Sequence, residues 1–130
     1  MTTTKANAEA QKAAAREATF KNAIETAQYG ARTQANAATR YATDAIRHAR
    51  DSHASYQAAS EAREARKHQA MAEAFATLAG DDETRDTVTG SATLVAEATK
   101  AAEAAEARAN QREASNAAAE IIRIAAGQTV

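Results

Sequence analysis

The chain has 130 residues, 16 basic and 17 acidic side chains and a formal net charge of −1, and 45% of it is apolar. Of the apolar residues 41 are alanine and only 12 are Leu, Ile, Val or Phe, which excludes a conventional core of large side chains. The absence of cysteine excludes disulfides, thiolate metal sites and a cysteine nucleophile.

A first helix is predicted over about 5–79. With no proline, and with Ala, Glu, Gln, Arg and Lys dominating, intrinsic propensity favours helix almost throughout, because alanine loses no side-chain entropy on entering one. The cluster Thr2, Thr3 and Thr4 can supply an N-cap hydroxyl. Ala6, Ala10, Ala13, Glu17, Phe20, Ile24, Ala27 and Ala31 step by four and three residues. Ala35, Ala38, Ala42, Ala45, Ala49, Ser52, Tyr56 and Ala59 continue the row after one extra residue. This is a heptad seam with a local slip, and its small residues allow close approach of helix backbones. Gly30 stands alone without turn residues around it, so the helix is expected to pass through it. Lys5/Glu9, Glu17/Lys21, Lys21/Glu25, Arg40/Asp44 and Arg47/Asp51 stand at i, i+4 and support the exposed faces.

A connection is predicted over about 80–90. Gly80 ends the first helix, and the segment after it lacks alanine and is dense in Asp, Thr, Gly and Ser. Val88, Ala92 and Val95 keep helical spacing, so part of the connection, from Asp82 or Thr84, can already be helical. A second helix is predicted over about 91–126, capped by Gly127.

The expected fold class is therefore all-α: a long Ala-rich antiparallel helical hairpin, or coiled coil, forming a single elongated oligomeric unit over 1–130. Folding back at the connection pairs residues whose numbers sum to about 170. Leu94 and Val95 then meet Phe75 and Leu78, and Ile121, Ile122 and Ile124 meet Ile46 and Ala49. Ile46, Phe75, Leu78, Leu94, Val95, Ile121 and Ile124 are the expected hairpin-packing residues. Charge agrees with the pairing, since residues 32–68 carry +3 and residues 81–130 carry −4. The first helix would be about 110 Å long and the second about 55 Å, so residues up to about Tyr41 lack an intrachain partner. Phe20, Ile24, Tyr29 and Tyr41 on that overhang are the expected oligomer contacts.

Catalytic signatures are missing. The sequence has no Gly-x-Ser-x-Gly, no phosphate-binding glycine loop, no His-Glu-x-x-His and no dinucleotide fingerprint, so no enzyme activity and no cofactor are expected. Asp44, His48 and Asp51, and Glu64 with His68, share helix faces in a way that can ligate a metal. Arg47, Arg50 and Lys67 crowd the same surface, which favours solvated ion pairs, and His53 reads as a surface residue. Arg40 and Arg47, with Tyr41 and Tyr56 near them, are the basis of a nucleic-acid-associated alternative. The chain lacks the strong basic stripe such binding uses, and a nucleic-acid partner is not expected.

No membrane span is expected either. The most apolar stretch, 117–126, is interrupted by Glu120 and Arg123 and is about half the ~20 residues a span needs. The N-terminal residues lead into alanine and charge with no apolar segment of a secretory signal, so cytoplasmic synthesis is expected, with the protein remaining there or leaving inside an assembled particle.

The segment from Thr26 to Asn36 resembles the 11-residue units of late embryogenesis abundant proteins, which are disordered until dried. That resemblance implies a second alternative, a stress or desiccation protectant. The unit does not recur in register along the chain. Alanine content and regular threonines are also similar to helical antifreeze proteins, but Thr19, Thr26 and Thr33 recur at seven residues rather than eleven. The leading expectation is a non-enzymatic structural protein that self-associates or docks with other subunits of a larger assembly, such as a virion or appendage component.

Overall fold

A computed structural model describes residues 2–128, with side chains placed for 4–127. The fold is all-helical, with α1 (Thr2–Ala49), α2 (Ser55–Ala79) and α3 (Asp82–Gln128) in chain order and no strand among the described residues. Of the threonine cluster expected to cap the first helix, the side chains of Thr2 and Thr3 lie outside the described residues.

The single helix expected over about 5–79 is two helices, broken at residues 50–54. The break contains neither glycine nor proline. Instead the last turn of α1 tightens, with the Arg50 and Asp51 amides donating to the Arg47 and His48 carbonyls three residues back. The Asp51 carboxylate then accepts the His53 amide at 2.9 Å. Short polar side chains of this kind offer the backbone an alternative to the helical ladder. Arg108 and Arg112, reaching across from α3, donate to the carbonyls of Ala49 at 3.0 Å and Ser52 at 2.5 Å. Carbonyls that lose their helical partners at the break are thereby satisfied.

The second turn follows the expected chemistry at its start. Gly80 takes φ 75°, a left-handed conformation that costs glycine little, and its amide donates to the Ala76 carbonyl at 2.9 Å. Helix α3 begins at Asp82, the earliest of the expected starts rather than near residue 91, because Asp81 caps it. The Asp81 carboxylate accepts the Thr84 amide at 3.0 Å and the Thr84 hydroxyl at 2.8 Å, and Asp82 and Glu83 place negative charge in the first turn. At the other end Gly127 does not terminate the helix, which runs to Gln128.

Three helices pack on one another. α1 and α2 are antiparallel, with His48 Nδ1 2.6 Å from Glu61 Oε2 and His68 Nδ1 2.6 Å from Gln34 Oε1. α2 and α3 are antiparallel as well, with Arg66 donating to Thr99 Oγ1 at 3.2 Å. α1 and α3 therefore run parallel, joined by Gln28 to Asp81 at 3.1 Å near one end and by Arg108 to Ala49 at the other.

Seventeen of the 19 buried apolar residues are alanine, and the other two are Val88 and Val95. With methyl groups at the contacts the helix axes approach closely, and many small dispersion contacts replace the burial of large side chains. The core forms two clusters. One joins Ala38–Ala49 positions of α1 to Ala58, Ala62 and Ala65 of α2 and Val95, Ala98 and Ala102 of α3, with Tyr41, Ile46 and Leu94 packed on it. In the other, Ala31, Ala35, Ala72, Ala76 and Val88 surround the half-buried Phe75. Between them Gln69 is buried, donating to the Val88 carbonyl at 2.9 Å and accepting the Ser91 hydroxyl at 2.6 Å. Gly30 is the position where α1 admits Phe75, since a Cβ there would sit 3.0 Å from three ring atoms.

The break at 50–54 also changes the expected pairing. Only Ile46, Phe75, Leu94 and Val95 of the expected packing residues reach the core. Leu78 is 71% exposed, and Ile121 and Ile124 do not meet Ile46 and Ala49, because α3 passes the end of α1 at Arg108 and continues beyond it.

Candidate functional site

Two helical arms extend from opposite ends of the three-helix body. Ala27 is the first buried residue of α1 and Ala105 the last of α3. Residues 2–26 of α1 thus project past the turn that starts α3, and α3 runs from residue 106 along the turn that ends α1, reached by Arg108 and Arg112, and projects past it to residue 128. Within the arms, among residues with described side chains, only Ile24 and Ala109 are partly covered.

The α1 arm continues the row of side chains that is buried in the body. Ala6, Ala10, Ala13, Phe20 and Ile24 lead at heptad spacing into Ala27, Ala31, Ala35 and Ala38. Ile24 is partly covered, and below it the row is exposed among the described residues, with Phe20 69% exposed. Glu17 is the one charged residue in the row.

On the α3 arm, Ala114, Ala117, Ile121 and Ile124 form a row at spacings of three and four. Ala117 lies 18 residues, five full turns, beyond Thr99, which faces α2 through Arg66. The row therefore lies on the flank that carries α2 in the body and is bare above the 50–54 turn. Ile121, Ile122 and Ile124 are all more than half exposed.

Of the four expected oligomer contacts, Phe20 and Ile24 lie on the α1 arm. Tyr29 lies on the body, 67% exposed. Tyr41 is taken up inside the body, its ring stacked on His68 at 5.3 Å between centroids and 7° between planes. The expected overhang is therefore shorter, ending near Thr26 rather than Tyr41, because α2 returns along α1. Sequence reasoning missed the isoleucines as arm residues. The available signal was Asp51-Ser52-His53, three adjacent turn-forming residues where the heptad row meets Ser52 and Tyr56 at seam positions.

The polar side chains considered for chemistry are engaged elsewhere. His48 faces Glu61 rather than Asp44 or Asp51, and His68 faces Gln34 and Tyr41 rather than Glu64. Arg47 pairs with Asp44 at 3.1 Å. No group of three or more His, Asp or Glu able to hold a metal ion exists among the described residues. A groove of about 360 Å³ between α2 and α3 contains Glu73 and Arg85, but Glu73 accepts from Gln69 and Arg85 pairs with Asp82. Thr19 and Thr26 direct their hydroxyls to the Ala15 and Asn22 carbonyls of their own helix. No helix among the described residues is long and apolar enough to cross a membrane.

The acidity of Asp81 is clearly displaced. The Thr84 amide, then the Gln28 side chain and the Thr84 hydroxyl, hold its carboxyl below the ordinary value of 3.8. Its partners assign it to holding α3 against α1. Compared with protein-family models, curated proteins and solved structures, the chain matches none.

Proposed function

We propose that the chain is a non-enzymatic structural protein, an Ala-seamed coiled-coil unit that self-associates through its free arms, alone or within a larger particle such as a virion or appendage. One observation carries this reading: the body is closed almost entirely by alanine, while Phe20, Ile121, Ile122 and Ile124, one third of the Leu, Ile, Val and Phe of the whole chain, are exposed on the arms. A protein with so few large apolar residues gains most from them when they are covered, at roughly 1.5–3 kcal/mol for each fully buried side chain. The arms, each about 35 Å long, extend helices already nucleated in the body, so association covers their apolar rows without having to form them.

The combined substitution Phe20→Ala and Ile24→Ala tests this reading. The variant is expected to show a lower oligomeric mass in sedimentation with far-ultraviolet circular dichroism nearly unchanged, since alanine is the better helix former. An unchanged mass removes the α1 arm from the contact. A coil spectrum of the parent chain in dilute buffer would contradict the preformed helices and support the protectant reading.

A further inference from the structure

We infer that the occupant of the α1 arm is the α3 arm of a second copy, so that copies join head to tail into an open-ended filament. This rests on the self-association proposed above and specifies its geometry. The two arms leave opposite ends of the body along parallel helices, so a copy moved along the axis and rotated about it lays its α1 arm beside the α3 arm of the copy below, on the flank that α2 occupies lower down rather than in line with α1.

A single register satisfies both arms. Setting Phe20 level with Ile121 places Ile24 level with Ala125, next to Ile124, so the large apolar residues of the two arms coincide. In the same register Thr4 is level with Ala105, the last buried residue of α3, and Ala27, the first buried residue of α1, is level with Gln128. The α3 arm thus ends where the next body begins, and the α1 arm packs along the part of α3 beyond Arg112, its residues up to Gln11 lying level with the 50–54 turn that Arg112 reaches. The exposed row of the α1 arm is continuous with the row already buried in the body, and the bare flank of the α3 arm is the one that α2 covers lower down.

Pairing of like arms is poorer. Antiparallel overlap of two α1 arms sets Phe20 opposite Ala8 and Ile24 opposite Thr4. Overlap of two α3 arms sets Ile121 opposite Glu113 and Ile124 opposite Asn110, which puts polar groups against the isoleucines without partners. Parallel, in-register α1 arms are blocked, because a partner helix lying on the Phe20 row would continue into α2 and α3 of the first copy. Head-to-tail contact is heterologous, and without a closing rotation it propagates. Facing positions on α1 and α3 differ by 53 to 59 residues within the body and by 101 across the junction, so the axial repeat is about 65–70 Å.

The test uses two full-length variants, Phe20→Glu with Ile24→Glu, and Ile121→Glu with Ile124→Glu, each confirmed helical by circular dichroism. In sedimentation velocity the parent chain is expected to form a concentration-dependent series of species, and each variant alone is expected to remain monomeric. Their equimolar mixture is expected to form a 1:1 dimer of twice the monomer mass and nothing larger, because one intact α3 arm meets one intact α1 arm. Dimers formed by either variant alone overturn the head-to-tail arrangement while leaving self-association intact. A parent chain that stays monomeric overturns both.

Discussion

Gly30 and Gly90 both sit in helix interiors, where alanine is better by about 0.5–1 kcal/mol, yet a methyl group meets different surroundings at the two positions. At Gly90 nothing lies within 4 Å, and Gly90→Ala is expected to raise stability by about 0.5–1 kcal/mol in thermal or urea unfolding. At Gly30 the added Cβ meets the Phe75 ring at 3.0 Å, and overpacking of about 1–3 kcal/mol offsets the propensity gain. Gly30→Ala is therefore expected to be neutral or destabilising in the parent chain and stabilising when Phe75 is replaced by alanine. Asp81 makes a pH prediction. Its folded-state pKa lies below the ordinary 3.8, so its contribution to stability is complete above that value and is lost as pH falls through the lowered folded pKa. Asp81→Ala is expected to lower Tm near neutral pH and to flatten that acid limb, read by circular dichroism melts from neutral pH to below pH 3.8.

At the scale of elements the molecule divides into a packed body and two unpacked arms. Hydrogen exchange on the monomeric double glutamate variants is expected to show slow exchange confined to body helices and fast exchange throughout residues 4–23 and 113–127. Protection of those segments in the monomer would contradict the division, since amides in helices without tertiary contacts open at little cost. The same division explains what the sequence revealed. Ala27 through Ala49 are legible as a buried row because period alone fixes a helix face, and Gly80 with Asp81 is legible because left-handed glycine and an aspartate cap are specific local chemistry. Residues 50–54 are not, because Asp51, Ser52 and His53 can each be carried by a helix, and their turn is held by Arg108 and Arg112 from 59 and 60 residues away. An unbroken helix through 50–54 sets Ile121 and Ile124 against Ile46 and Ala49 and leaves Tyr41 on an overhang, whereas the turn carries α2 back over Tyr41 and lets α3 run past the end of α1. Phe20 and Ile24 kept their place on the free arm because their position depends only on the α1 row.

For the whole molecule, alanine serves as a spacing residue within one copy, and the few large apolar residues divide between the body and the arms. Val88, Val95, Phe75, Ile46 and Leu94 hold three alanine-faced helices in register around Gln69. Phe20, Ile24, Ile121 and Ile124 have no such role within the chain, and in the head-to-tail register they face one another across copies. Light scattering coupled to size exclusion, across a series of concentrations, tests this most directly. The account predicts a weight-average mass that rises with concentration above the 13.6 kDa of one chain. A mass that stays at 13.6 kDa up to the highest soluble concentration would contradict it.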